Sequence, residues 1–382
     1  FKHVFVFLPF IYKNDEMRLL YFLIYYILKL PLRLYFRNVR IINKPKKFGK
    51  TIFVSNHSAA FMDPLVIAIF NRAILYFMTR SDVFSSFRKP AFRSIHMIPI
   101  YRQIDGVNTK KKNMEVFRKC TETLLKNRNL LIFVEGFTDD VFIRRLKSIK
   151  KGAARIGFTT LEACNWEEDI YIAAVGINYT NPSRFGSDVL VKNSESIHLN
   201  SYKSQYLENP AKVIAELTQE IDILLKSQIT HVEDIDNILL HESIMMIKRK
   251  GMADCFENNS DLQSRWVFSS DLAALINSLS KEETEGIKSE IDSYLKTLND
   301  NKLSDDLLYD TLYNPITWGR YLVQIALLPI VLLGFVHCGL IYMFVKRLVE
   351  NKFRRAVFWS STKLVLMVFI AGPINLSIFI FL

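Results

Sequence analysis

A histidine and an aspartate with five residues between them, His57 and Asp63, follow a short apolar run, Thr51-Ile52-Phe53-Val54-Ser55. The intervening Ser58-Ala59-Ala60-Phe61-Met62 is small until Phe61, and Pro64 follows the carboxylate. A histidine base oriented by an acid is a recurring device for taking a proton from an alcohol. On one continuous helix the two side chains would sit about 120° apart, so a turn through Ser58, Ala59 and Ala60 has to intervene. With Pro64 behind it, Asp63 reads as a helix N-cap with proline in the first helical position. Taken alone, the pair also fits a strand-end histidine bonded to backbone, next to a cap.

Three other segments carry chemistry-bearing side chains. Ile98-Pro99-Ile100-Tyr101-Arg102 ends a strand with an arginine, whose fork suits a phosphate; in isolation it is a surface charge. Ile132-Phe133-Val134-Glu135-Gly136-Phe137-Thr138 runs a strand into Glu135-Gly136, where glycine permits a tight turn and close ligand approach; in isolation it is an ordinary strand exit. Lys150-Lys151-Gly152-Ala153-Ala154-Arg155 opens a helix with cations and small residues, which suits an anion at a helix N-terminus; in isolation it is a solvated charge cluster.

The elements that must position these residues alternate from 50 to about 205. Strands are expected over Thr51–Ser55, Ile74–Met78, Met97–Tyr101, Leu130–Val134, Ile170–Tyr179 and Asp188–Val191. Helices are expected over Pro64–Asn71, Thr109–Asn127 and Ala153–Asn165. The fold class this implies is α/β, a mixed and mainly parallel sheet flanked by helices. From Ala211 the pattern turns helical: Val213, Ile214, Leu217, Ile221 and Leu224 keep a three-and-four spacing, and Ser280-Lys281-Glu282-Glu283 has the form of a capping box. No chemistry is visible there, and the region reads as a supporting helical module.

The ends are apolar. Phe1–Tyr12 lacks the small-residue cleavage site of a secretory signal. Met17–Arg37 contains ten uninterrupted apolar residues, too few to cross a bilayer, with Lys29, Arg33 and Arg37 at a four-residue step and Pro31 as a bend; it reads as an interfacial membrane segment. Tyr321–Val345 and Leu364–Leu382 carry no Asp, Glu, Lys or Arg and are long enough to span, each interrupted by a proline, Pro329 or Pro373. The expected organisation is an N-terminal membrane segment over 1–45, a catalytic domain over 46–208, the helical module over 209–317 and two membrane segments over 318–382.

Half of the 382 residues are hydrophobic and 50 Lys and Arg face 38 Asp and Glu, a net charge of +12. An apolar, basic chain favours an anionic partner, and the apolar ends make that partner a membrane lipid bilayer. Nucleic acid is not expected, because the basic residues follow no RNA- or DNA-binding pattern. The four scattered cysteines form no CxxC and the histidines are dispersed, so neither a disulfide framework nor a metal site is expected. Lys346, Arg347, Lys352, Arg354, Arg355 and Lys363 between the two apolar runs place that connection in the cytoplasm. If the first run crossed, the domain ahead of it would lie on the opposite side from that connection. Either the runs dip in and return, or the folded domain overrides the charge bias; the expected localisation is the membrane with the active domain facing the cytoplasm.

The four segments in order resemble the glycerophospholipid acyltransferase superfamily. Its first block is a His and Asp motif, here His57 and Asp63; its second ends in a substrate-binding arginine, here Arg102. Its third is a Pro-Glu-Gly block, here Val134-Glu135-Gly136, followed by a Lys-Gly-Ala element, here Lys151-Gly152-Ala153. Its fourth is a Val-Pro-Val-Gly strand, here Ala173-Ala174-Val175-Gly176. Val134 and Ala174 stand where the family has prolines. The five-residue step, where four is commonest, is similar to the branch with fungal glycerol-3-phosphate acyltransferases.

The resemblance implies an enzyme of phospholipid biosynthesis that moves a fatty acyl group from acyl-CoA or acyl carrier protein, as co-substrate, to glycerol 3-phosphate. The alternative acceptor is the 1-acyl product, giving phosphatidate. No cofactor is implied. His57 is implied as base and Asp63 as its orienting acid; Arg102 and Lys151 would clamp the phosphate of the phosphorylated glycerol, with Gly152 beside them; Glu135, Gly136 and Thr138 would shape the acceptor pocket. A non-catalytic lipid-binding protein with the same fold is the rival from another class.

Overall fold

The computed structural model describes residues 19–45, 49–71, 74–80, 95–101, 109–253, 261–313 and 318–381. Phe1–Tyr12, Arg102 and Cys255 lie outside the described residues. The first element is helix α1 (Leu19–Tyr35), with Pro31 inside it, and strand β1 (Phe36–Ile42) follows without a loop. Then come β2 (Thr51–Ser55), α2 (Met62–Phe70), β3 (Leu75–Arg80), β4 (Met97–Ile100), α3 (Thr109–Leu125), β5 (Asn129–Phe133), α4 (Gly152–Ala163), β6 (Tyr171–Tyr179) and β7 (Ser187–His198).

The seven strands form one sheet in the order β1-β7-β6-β2-β5-β3-β4. Every neighbouring pair is parallel except β6 and β7. The expected mixed, mainly parallel α/β sheet is therefore what the chain forms. Two expectations need correction. The interfacial segment was expected to run through Arg37, but its helix stops at Tyr35, and Phe36–Ile42 pairs in parallel with β7 as an edge strand. The last strand, expected over Asp188–Val191, extends to His198 because its second half, although polar, still pairs with β6.

Side-chain alternation along the strands builds a core on each face of the sheet. Ile52 and Val54 of β2 join one cluster with Ile172 and Ala174 of β6, covered by residues of α3 and α4 such as Leu124 and Phe158. Phe53 joins the other with Val175, Ile177 and Tyr179, covered by α1 and α2 through Leu28, Leu32, Val66 and Ile67. α5 (Lys203–Glu208) and α6 (Pro210–Lys226) follow; α6 packs on the first face through Val213, Leu217, Ile221 and Leu225, and it starts at Asn209, whose side chain accepts from the Lys212 amide, with proline next.

The remaining helices are α7 (Ile238–Lys248), α8 (Leu262–Ser278), α9 (Lys281–Asp300) and α10 (Asp305–Tyr313). The capping box expected at Ser280 and Glu283 is present at the start of α9. Ion pairs with at least one buried partner tie this region to the sheet. Asp188 of β7 binds Arg265 of α8 at 2.6 Å and Arg37 of β1 at 3.1 Å. Arg144 reaches Glu242 of α7 at 2.7 Å and also donates to the carbonyls of Tyr179, Thr180 and Met252.

At the C-terminus, α11 (Trp318–Gly334) runs through a five-residue π-turn at Phe335–Gly339 into α12 (Leu340–Lys352), and α13 (Trp359–Phe381) turns back against α12. Two helical stretches, Tyr321–Lys352 and Ala356–Asn375, are long and apolar enough to cross a membrane.

Candidate active site

β2 and β5 lie side by side and parallel, so their carboxyl ends open on the same edge of the sheet, where open α/β folds place their ligands. Asn56 continues β2 with its side chain: its amide donates to the Ile177 carbonyl at 3.0 Å and its oxygen accepts from the Ile177 amide at 2.9 Å. Ser55 donates to the Val175 carbonyl at 2.7 Å. These three bonds pin the chain to β6 immediately before the histidine.

The turn expected between His57 and Asp63 is present. Ala60 holds a φ of 48°, the left-handed region that costs a non-glycine residue about 1 kcal/mol or more, and the Met62 amide closes on the Ala59 carbonyl at 3.0 Å. The turn brings His57 Nδ1 to 2.9 Å from Asp63 Oδ2. Asp63 was expected to cap α2; it does not. The helix begins at Met62 with Phe61 at the cap and no side-chain bond there. Asp63 sits in the first turn and points its carboxylate back into the turn. There Oδ2 also accepts the Ala59 amide at 2.8 Å, while Oδ1 accepts the Tyr179 hydroxyl at 2.9 Å. The carboxylate is fully buried, and the positive end of the helix favours it. The imidazole stacks on Phe133 with centroids 4.1 Å apart and stays partly exposed. Nδ1 faces the carboxylate, so Nε2 is the nitrogen left to meet a substrate.

Glu135 follows β5 and is buried. Its Oε1 accepts the backbone amide of His57 at 2.7 Å, while its Oε2 lies 3.3 Å from Lys147 Nζ. Lys147 also donates to Asp139 Oδ2 and to the Phe137 carbonyl, both at 3.0 Å. Gly136 turns the chain at a φ of 79°, a value that favours glycine. Thr138 is buried, and its carbonyl accepts from Arg355, which also pairs with Asp140. The Lys150 amide donates to the Val134 carbonyl at 2.9 Å, which returns the chain to the end of β5 before α4 starts. Lys151 holds the N-cap position of α4, exposed and without a capping side-chain bond, and Gly152 opens the helix. The sheet edge thus gathers His57, Asp63, Glu135, Gly136 and Thr138, with Lys151 and Gly152 returned beside them; Arg102 is outside the described residues.

Burial pushes the Glu135 carboxyl up, against the opposing pull of the His57 amide and Lys147. Burial and then the Asp63 carboxylate push the Tyr179 phenol well above its ordinary value, so it remains a donor to Asp63. Three participants were not singled out for these roles from sequence. Tyr179 looks like one more large residue in an apolar strand. Lys147 is one cation in the run Arg144-Arg145-Leu146-Lys147. Phe133 has only strand periodicity, although that periodicity puts it on the same face as Phe53's cluster.

Residues 37–178 match the protein-family model described as Acyltransferase. No curated protein matches the chain. Among solved structures the chain is similar to the 1-acyl-sn-glycerophosphate (LPA) acyltransferase PlsC from Thermotoga maritima, with 18% identity and a TM-score of 0.35 over 58% of this chain and 88% of that one. The family match spans the His57–Asp63 turn, the Glu135-Gly136 exit, the Lys151-Gly152 helix start and the Val175-Gly176 strand, so the segment that is similar to the Acyltransferase family is the one that holds the site.

Proposed function

We propose that the protein is a membrane-associated O-acyltransferase that transfers a fatty acyl group from a thioester, acyl-CoA or acyl carrier protein, to a hydroxyl of a phosphorylated glycerol. The observation that carries the reading is the His57–Asp63 contact at 2.9 Å, within an acyltransferase-family segment, with the imidazole partly exposed and the carboxylate fully enclosed. In this reading the acceptor oxygen attacks the thioester carbonyl while His57 Nε2 takes its proton. The C–S bond of the tetrahedral intermediate then breaks, and the departing sulfur takes the proton from the imidazolium, leaving ester and thiol. Asp63 keeps the proton of the neutral ring on Nδ1 and stabilises the imidazolium. Glu135 fixes the backbone of the base rather than its ring. Arg102 and Lys151 are the cations proposed for the phosphate, and Gly136, Thr138 and Gly152 the walls of the acceptor pocket.

Glycerol 3-phosphate is the acceptor suggested by the five-residue step. One observation favours 1-acylglycerol 3-phosphate instead. A cavity of about 380 Å³, lined by the apolar Ala59, Met62, Phe142 and Val357 and also by the carboxylates Asp140 and Glu242, lies between the His57–Asp63 turn and the C-terminal hairpin. An acceptor with an acyl chain has somewhere apolar to put it; glycerol 3-phosphate has no such need. Feeding both acceptors with one long-chain acyl-CoA to the purified protein in lipid, and separating the labelled products, tests this. The expected outcome is an acylated glycerol phosphate from at least one acceptor. Thioester consumption that ignores both acceptors contradicts the reading.

A further inference from the structure

The two apolar C-terminal helices leave a question of sidedness that the covalent chain itself answers. Helix α10 is fixed to the body of the protein: Arg249, nearly buried, binds Asp306 Oδ1 at 2.7 Å and Asp305 Oδ2 at 2.8 Å, and Tyr294 of α9 donates to Asp305 at 2.6 Å. From Asp306 the chain is helical to Tyr313 and reaches Trp318 five residues later. The helical part advances about 10 Å. The remaining five residues, even fully extended, add about 18 Å at most. Trp318 therefore lies within about 28 Å of a charged cluster in the body, whereas a bilayer with its headgroups is about 40–45 Å thick.

The far end of the same helical run is held to the body as well. Beyond the helix, Arg355 pairs with Asp140 and the Thr138 carbonyl, and the Phe358 ring meets Phe61 at 5.2 Å. Lys363 binds Glu350 at 2.6 Å and closes the tip of the hairpin. Both ends of Tyr321–Lys352 thus belong to the same side, although its middle is apolar all round and every described side chain of α11 is exposed. A helix apolar on all faces belongs in an apolar medium.

The hairpin tip carries the exposed cations Lys346, Arg347, Lys352 and Arg354, which an anionic lipid surface attracts. Helix α1, which packs against α13, adds an exposed stripe of Leu23, Ile27, Leu30 and Leu34 at helical spacing beside the exposed Arg33.

We propose that α11 to α13 form a monotopic anchor that enters and leaves one leaflet of an anionic bilayer without crossing it, so that the basic tip, the His57–Asp63 turn and the helical module all face the same aqueous side. The π-turn at Phe335–Gly339 and Pro329 are the places where the long helix can bend to do so. The proposal does not depend on acyl transfer. It removes the conflict between the charge of the connection and the side of the catalytic domain, because no first span has to cross.

Single cysteines in the full chain, with Cys120, Cys164, Cys255 and Cys338 replaced by Ala, test it. The positions are Gln219→Cys on the body, Trp318→Cys, Ile330→Cys and Asn351→Cys. The protein is added from outside to preformed sealed vesicles of phosphatidylcholine and phosphatidylglycerol and exposed to a membrane-impermeant maleimide. The expected result is labelling at 219, 318 and 351 alike, with labelling at 330 lost on vesicle binding and restored by detergent. Protection of 318 while 219 and 351 react means a crossing helix and overturns the proposal. Unchanged labelling at 330 means no insertion, and protection of 330 before vesicles are added means a second copy covers the helix; either result overturns it too. Vesicles of phosphatidylcholine alone should bind more weakly, and equal binding would remove the role given to the four cations.

Discussion

Tyr179 supplies a hydrogen bond to Asp63 from 116 residues down the chain, and with it both oxygens of a fully buried carboxylate are occupied. Replacing the tyrosine by phenylalanine keeps the ring and deletes the donor, leaving a buried acceptor short of a partner at a cost of about 1–3 kcal/mol. The expected outcome for Tyr179→Phe is a fall in kcat of about tenfold, equivalent to ~1.4 kcal/mol in the barrier, with KM little changed. Steady-state kinetics check it; a change confined to KM would show that the hydroxyl serves binding and not the acid that orients the base. The sequence made His57 and Asp63 legible because the turn that joins them is local and its small residues are visible in a row. Tyr179 and the Glu135–His57 amide bond were not legible as contacts. Each depends on how β2, β5 and β6 are registered, and register comes from the whole sheet. The N-cap reading of Asp63 failed for a related reason: Pro64 marks the first helical turn correctly, but the His57 ring and the Ala59 amide compete for the carboxylate and win.

Among the elements, β6 shows why the Val175-Gly176 pair stands where it does. A Cβ on Gly176 would sit 2.2 Å from the Gln228 carbonyl oxygen, a backbone atom that also accepts from Asn178 at 3.0 Å. The glycine is thus a requirement of the close approach between β6 and the chain after α6. Gly176→Ala is expected to lower stability by about 1–3 kcal/mol, read as a lower denaturant midpoint. An unchanged midpoint would show that this approach is loose. The strands that are short, buried apolar runs, β2 and β5, could be read directly from the sequence. β1 could not: Phe36-Arg37-Asn38-Val39-Arg40-Ile41-Ile42 follows an apolar helix with no turn residue between them, and its charged positions are those of an edge strand. The second half of β7 is polar for the same reason of position, beyond the covered part of the sheet.

At the scale of the whole molecule, the helical module is bound to the sheet through charge as well as apolar contact. Burial alone would push the Asp188 carboxyl up, but Arg37 and Arg265 outweigh it and hold it below its usual range. A carboxyl lowered on folding adds stability above its unfolded value, and that stability is lost as pH falls through the folded value. Asp188→Asn leaves Arg265 buried without its counter-charge, and a loss of about 3–5 kcal/mol is expected, together with a weaker acid dependence of the melting temperature below the ordinary carboxylate range. A variant with the parent's melting temperature and acid limb would show the module held by other contacts. The sequence announced the module as helical and the ends as apolar; the proposal of a one-sided anchor had to wait for the Arg249 and Arg355 contacts, which join both ends of the long helix to the body. The central claim remains that His57 is the base of an acyl transfer to a phosphorylated glycerol. Its most direct measurement is thiol released from a long-chain acyl-CoA by the wild type and by His57→Ala in lipid, with both acceptors supplied and melting temperatures compared. Release is expected to fall by ~10²–10⁴-fold in a variant that melts like the parent. Release at a near-parental rate by that variant would contradict it.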